Sequence, residues 1–442
     1  MVFRFFRNII GAGSTAAAIG QGFLSNGLLL LLNVVTGIIS ARALGPEGRG
    51  ELAALLAVPT FVCFLAPLGL PSALVFESTS GRSTADAISA TALLLAIVLG
   101  IVAALLAAIG TPWVLTTHQP ALVTTAVWLA AFSILGLLAN LGMAVLQGKE
   151  EFGQCNAIRV AQPVLTVLAM VVVVMGPGLN PLQAALITFC AGFPGLIWNL
   201  WLIRPKASVP LQAIRHAFGN LYRYALRASS GDLLSGLAGQ LDKVVVVALF
   251  APREVGLFTV AMSLSRVLLV APQAVTQVLL ARTAGRTVDE VITTVTRTAA
   301  VTLAMVSIGA VLLWLTGPFL LSLLYSKDFA AGTMLLQLLL LEACMTAMHQ
   351  VLSQPFLALD RPGALGVQQA AGVITSVVLL FLLSEPLGII GAAWALLGGA
   401  LVRLVAALVM FRAVLRLPMP RVFAEMGPSL ALLVSRLRGG TL

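Results

Sequence analysis

The sequence predicts an all-α polytopic membrane protein of about twelve transmembrane helices arranged as two six-helix lobes. Three observations carry that prediction. Only 42 of 442 residues are charged, 10%, against about 25% in soluble domains. Hydrophobic residues make up 60% of the chain, with a mean hydropathy of +1.04. Those side chains lie in uninterrupted runs such as Leu93 to Gly110, whereas a transmembrane barrel reads as short alternating segments. A span uses about 20 apolar residues, so twelve spans consume nearly all of them.

In chain order the runs predict spans at about 23–42, 52–76, 87–109, 121–146, 157–175, 181–203, 227–250, 256–281, 298–323, 331–358, 364–384 and 387–411. The basic start MVFRFFRN resembles a signal peptide, but the apolar run after it is long enough to span, so an uncleaved first helix is expected. The chain carries a net charge of +10, which in a soluble protein suggests nucleic acid. Position argues otherwise. With the N-terminus cytoplasmic, only Arg42, Arg49, Arg253 and Lys327 of the 26 Lys and Arg fall in outer loops, and Lys243, Arg266 and Arg403 fall inside spans. The other 19, Arg159 and Arg215 among them, are cytoplasmic, as the positive-inside rule requires for both ends inside.

Internal repetition supports two lobes. Pro46-x-x-x-Gly50 after the first span matches Pro252-x-x-x-Gly256 after the seventh, at an offset of 206, and Asn26 aligns with Asp232 at the same offset. Pro181-Leu182 and Pro386-Leu387 are 205 apart. The expected organisation is a lobe at 1–209, a second at 210–420, and a cytoplasmic tail at 421–442. Leu211, Ile214, Phe218, Leu221 and Ala225 recur at 3,4 spacing, which suits an interfacial helix linking the lobes, unless it simply extends the seventh span. Outer connections are short, so function lies between helices.

Charges near mid-membrane cost about 2.5–3.5 kcal/mol each on insertion scales and default to functional hypotheses. Arg266 lies about ten residues into the eighth span, and Glu342 at a similar depth in the tenth. Arg266, Gln273 and Gln277 share a helical face by their 7 and 4 spacing, as do Glu342, His349 and Ser353, and Asn26 with Asn33 on the first span. These stripes are expected to line a water-filled cavity; the alternative is that Arg266 and Glu342 pair only to hold the bundle. Asp232 and the neighbours Asp242 and Lys243 add charge to the seventh span. Arg403 is expected to snorkel inward, His118 and His216 to face solvent, and His349 is the histidine placed to act as a proton-linked switch.

Other chemistry is absent from the sequence. There is no Gly-x-x-x-x-Gly-Lys-Ser/Thr loop for ATP, no Gly-x-Ser-x-Gly elbow and no His-Glu-x-x-His. The four cysteines are scattered, without metal spacing. No catalytic residue, metal or cofactor is expected.

Residues 40–52, SARALGPEGRGEL, and LAPLGLPSAL from Leu65 to Leu74 resemble the N-terminal signature of bacterial polysaccharide-export flippases. Gln240-Leu241-Asp242-Lys243, then Pro252-x-x-x-Gly256-Leu257-Phe258-x-x-Ala261, resembles the start of their second lobe. These belong to the multidrug, oligosaccharidyl-lipid and polysaccharide exporter superfamily. The resemblance implies a translocase of the bacterial plasma membrane that moves lipid-linked oligosaccharide outward by alternating access. It also implies partners limited to that substrate, membrane lipids and polysaccharide assembly proteins. A cationic cavity would give Arg266 and Lys243, with Asn26, Asn33, Gln273 and Gln277, substrate roles; Glu342, Asp232, Asp242 and His349 would couple a cation or balance charge. The alternatives are a cation-coupled multidrug exporter of the same superfamily and, further off, a membrane glycosyl transferase or polymerase.

Overall fold

In the computed structural model, residues 15–205, 208–283, 288–359 and 361–416, with residue 428, are described. The expected tail at 421–442 lies almost wholly outside them. Every regular element among the described residues is helical. Thr15–Leu65 is broken at Gly45, whose φ of 68° no side chain adopts easily, giving α1 (15–44) and α2 (46–65). There follow α3 (Leu70–Ser80), α4 (Ala85–Val114), α5 (Pro120–Leu129), α6 (Phe132–Gly148), α7 (Phe152–Met175), α8 (Pro181–Cys190), α9 (Phe193–Ile203) and α10 (Leu211–Leu249). Then come α11 (Pro252–Ser265), α12 (Val270–Thr283), α13 (Val288–Leu320), α14 (Thr333–Leu352), the short α15 (Gln354–Ala358), α16 (Pro362–Leu387) and α17 (Ile389–Ala413). Pairing the halves of broken spans gives the twelve expected passes.

The packing is that of a protein solvated by lipid. On α4, Ala92, Ala96, Gly100, Ala103 and Ala107 are buried, while Leu94, Ile97, Ile101, Leu105 and Ile109 are exposed. Small residues let helices approach closely, and lipid tails cover the large ones. Helix ends obey ordinary chemistry. Thr84 caps α4 by accepting from the Ala87 amide, and Asn180 with Gln183 forms a capping box on α8 at 2.8 and 3.1 Å.

By internal contacts the chain divides into two compact units, Met1–Gly256 and Leu257–Leu442. The sequence reading starts the second lobe at 210, but α10 packs on the α1–α2 helix (Thr15–Leu65), α3 and α4 of the first unit. The expected linker and seventh span form one continuous 39-residue helix. Its expected apolar face is divided. Leu221 and Ala225 are buried in a core with Leu74, Leu141 and Ile203, and Ala217 is buried as well, whereas Leu211 and Phe218 point outward. Buried Glu77 of α3 holds this segment, accepting from Asn220 at 3.0 Å and from Ser83 at 2.7 Å. In the second unit, Val291, Val295, Val351, Phe356 and Phe411 form the corresponding core.

The repeated Pro-x-x-x-Gly segments meet within the first unit. A Cβ on Gly50 would overlap the carbonyl of Pro252, and a Cβ on Gly256 would overlap the carbonyl of Pro46. Each glycine therefore receives the other copy's proline backbone, in a reciprocal clasp that only a residue without a side chain permits.

Candidate functional site

Two polar sites are built inside the helices, one in each unit. In the first, the helix pairs α5/α6 and α8/α9 are interrupted at Ala130–Ala131 and Ala191–Gly192, and the bends open a cavity of about 560 Å³. Its polar lining is Thr60, Asn140, Gln147, Arg159, Gln162 and Asn199. Phe132 stacks on Phe189 with centroids 4.8 Å apart and meets Phe193 edge-on at 6.3 Å, forming an aromatic wall. No carboxylate is among the lining residues. Asn199 is fully buried; its amide donates to the Ala139 carbonyl at 3.1 Å, and its Oδ1 has no partner among the described residues.

Arg159 is the cation of this cavity. It lies seven residues after the start of α7, about 10 Å along the axis at 1.5 Å per residue. Pro163 follows four residues later in the same helix, and because proline has no N–H the Arg159 carbonyl loses its intrahelical donor. The guanidinium is exposed and donates to Asn26 Oδ1 at 3.5 Å. Gln162 donates to the Thr188 carbonyl at 3.3 Å. The sequence reading counts Arg159 among the cytoplasmic charges that set orientation. Its place just inside a predicted span, followed by Gln162-Pro163, is the signal that marks it out.

The second site is a closed charge cluster where α14, α16 and α17 meet. Glu342 is 1% exposed. Arg266 Nη1 lies 3.0 Å from Oε2 as an ion pair and donates to Oε1 at 3.3 Å. Arg403 Nη2 is 3.8 Å from Oε1, and Thr346 donates to that oxygen at 2.7 Å. Gly372 makes room for the Arg403 stem, since a Cβ there would overlap it. One turn further, His349, Ser353 and Gln368 form a buried triad with each contact at 3.1 Å. The structure pairs Arg266 with Glu342, which the sequence reading gives as the alternative to a water-filled cavity, and buries Glu342, His349 and Ser353 on or beside α14 in two separate polar clusters.

Other expectations come out differently. Arg266 opens a 3-10 segment, Arg266–Leu269, between α11 and α12. With three residues per turn instead of 3.6, this segment shifts the helical phase, so Gln273, which is exposed, need not share the face of Arg266. Arg403 does not snorkel: it is 8% exposed and turned to Glu342. Asn26 and Asn33 are exposed on α1, and only Asn26 reaches the cavity cation. Lys243 is exposed and donates to Gln240 at 3.3 Å, while Asp242 is buried. The side chains of Asp232 and Gln277 lie outside the described ones. His216 is exposed, but His118 is buried, and its Nε2 has no partner among the described residues. Burial holds the His118 imidazole below its ordinary pKa.

The sequence profile of the polysaccharide biosynthesis protein family matches residues 19–280. No curated protein matches the sequence. Among solved structures, the chain is similar to the lipid II flippase MurJ in an inward closed conformation. The TM-score is 0.75 at 12% identity, over 95% of this chain and 92% of that one. It is also similar to an inward-facing multidrug resistance MATE family transporter of the MOP superfamily, with TM-score 0.73, 18% identity, and 90% and 96% coverage. A MOP superfamily transporter from Pyrococcus furiosus, described by the reverse polarity of its binding pocket, gives TM-score 0.59 at 17% identity over 95% and 98%.

Proposed function

Since the chain belongs to the polysaccharide biosynthesis protein family and is a multi-pass membrane protein with the fold of MOP superfamily transporters, we propose that it moves lipid-linked oligosaccharide across a bacterial plasma membrane by alternating access. The observation that carries this reading is the composition of the first-unit cavity: one arginine, four amides, an aromatic wall and no carboxylate. Sugars present hydroxyls and amide substituents to hydrogen-bond with Asn140, Gln147, Gln162 and Asn199, and apolar faces to lie on phenylalanine rings. A phosphate-linked headgroup adds anionic charge, which Arg159 pairs as a planar donor fork.

The physical problem is desolvation. A charged headgroup cannot cross a hydrocarbon core of about 30 Å unaided. A polar cavity that supplies donors replaces its water, while the lipid tail stays in the bilayer. Helix breaks at Gly45, at Pro67–Gly69 and at the 3-10 turn from Arg266 are where the spans can bend between inward and outward access. Glu342 holds both Arg266 and Arg403 within the second unit. Both termini are cytoplasmic in this reading, and polysaccharide assembly proteins supply the substrate and receive the product.

A multidrug exporter has the same fold. Cationic drugs call for a carboxylate in the binding cavity, and the cavity here contains a guanidinium instead. The deciding test is reconstitution of the full chain in vesicles with undecaprenyl-diphosphate-linked oligosaccharide in both leaflets, followed with a membrane-impermeant sugar-oxidising label. Wild type is expected to change the labelled fraction and Arg159→Ala to abolish that change. Unchanged labelling by wild type, alongside efflux of a cationic dye, overturns the reading.

A further inference from the structure

The first-unit cavity and the second-unit cluster leave one prominent feature unused: the outward face of residues 211–223 in α10. Leu211, Arg215, Phe218 and Tyr222 fall at intervals of four, three and four, so they form one stripe. Leu211 is 78% exposed, Phe218 43% and Tyr222 54%. Phe218 and Tyr222 stack with centroids 6.0 Å apart. Arg215 and Arg223 are exposed beside them, and no acidic residue occurs between positions 208 and 231.

Two residues on from Tyr222, Tyr224 turns to another side of α10 and stacks on Phe76 of α3 at 4.3 Å. Glu77, also of α3, is 2% exposed and accepts from Asn220 and Ser83. The exposed stripe is thus bordered by Arg215 and Arg223. At the same end of the neighbouring span, Trp201 is 58% exposed with Arg204 5.4 Å from its ring; an aromatic with a cation in the last turn of a lipid-facing helix marks the headgroup level.

We propose that this face is a docking surface for anionic lipid headgroups of the bilayer. Apolar side chains on a basic helix face are stable when they enter the boundary between headgroups and acyl chains, where flanking cations meet phosphates. Charge complementarity selects anionic over zwitterionic lipid, and the buried contacts of Ala217, Leu221 and Ala225 hold the segment against the bundle whatever the lipid. The surface does not rest on the cavity reading: a chain that translocates nothing would still carry it.

The test uses the full chain reconstituted in phosphatidylcholine nanodiscs doped with phosphatidylglycerol, with retained lipid counted by native mass spectrometry. Wild type is expected to retain phosphatidylglycerol in excess over its share. Arg215→Gln and Arg223→Gln should each lower that preference about fivefold, following about 1 kcal/mol per basic residue near an anionic surface, with an unchanged unfolding midpoint. Phe218→Ser with Tyr222→Ser should lower retention of both lipids without changing the preference. High salt should erode the wild-type preference. An unchanged preference in the double arginine variant overturns the proposal. So does loss, in that variant, of a stoichiometric co-purifying protein while lipid retention stays at the wild-type level, because the face would then be a protein interface.

Discussion

The two polar sites handle charge inside a membrane in opposite ways. In the first unit, Arg159 is exposed to a cavity of about 560 Å³ and, among the described residues, meets an amide at 3.5 Å. In the second, Glu342 is sealed between Arg266, Arg403 and Thr346. Arg159 keeps its donors for a ligand, whereas in the second unit Arg266, though 31% exposed, and Arg403 are both turned onto one buried carboxylate. Depth alone does not distinguish the two. The deepest charges belong to the closed cluster, and the one with donors to spare sits near a helix start.

That contrast is most severely tested at Glu342. Glu342→Ala leaves Arg403 buried without its carboxylate, and removing one member of a buried pair costs about 3–5 kcal/mol. We expect a large fall in the unfolding midpoint and in membrane abundance; a stable Glu342→Ala protein would show that the cluster is open after all. Arg159→Ala should do the reverse, cutting headgroup translocation by tenfold or more while the midpoint hardly moves. Arg159→Lys should recover part of the rate, because it keeps the charge and loses the fork. If Arg159→Ala unfolds the protein, the cavity is structural.

A smaller effect is expected from Gly142→Ala. Its Cβ would sit 2.8 Å from the Asn199 amide, displacing that side chain. Transport should fall more than stability, as steady-state rate and unfolding midpoint measured on one preparation would reveal. The smallest effect belongs to His118, which lies in neither site. Its lowered pKa keeps the folded imidazole neutral, while the unfolded chain takes up a proton near pH 6.5. This contribution is therefore full above about pH 6.5 and is lost as pH falls below it. His118→Gln should flatten the decline in midpoint between pH 7.5 and 5.5.

Much of the fold is readable because lipid imposes a simple code of long apolar runs separated by short turns rich in Pro and Gly. The Arg266–Glu342 pairing was readable too, since two opposite charges at equal depth have few other partners. What escaped came from departures from ideal helices. The 3-10 turn at Arg266 shifts the phase on which a single polar stripe with Gln273 depended. The cavity around Arg159 exists because α5/α6 and α8/α9 are each interrupted between small residues, Ala130–Ala131 and Ala191–Gly192, which look unremarkable in an apolar run. The partner of Arg403 lies in another helix, which its own sequence neighbours do not disclose, and residues 211–225 carry apolar side chains on both the protein-facing and the outward side, so their spacing does not single out one face.

The clasp between Gly50 and Gly256 places the two repeats under a shared constraint. Each glycine is moulded to the proline backbone of the other copy, so a substitution in either motif is rejected by its counterpart. The two Pro-x-x-x-Gly segments are interlocked, so that neither glycine position can gain a side chain unless the opposite proline backbone gives way.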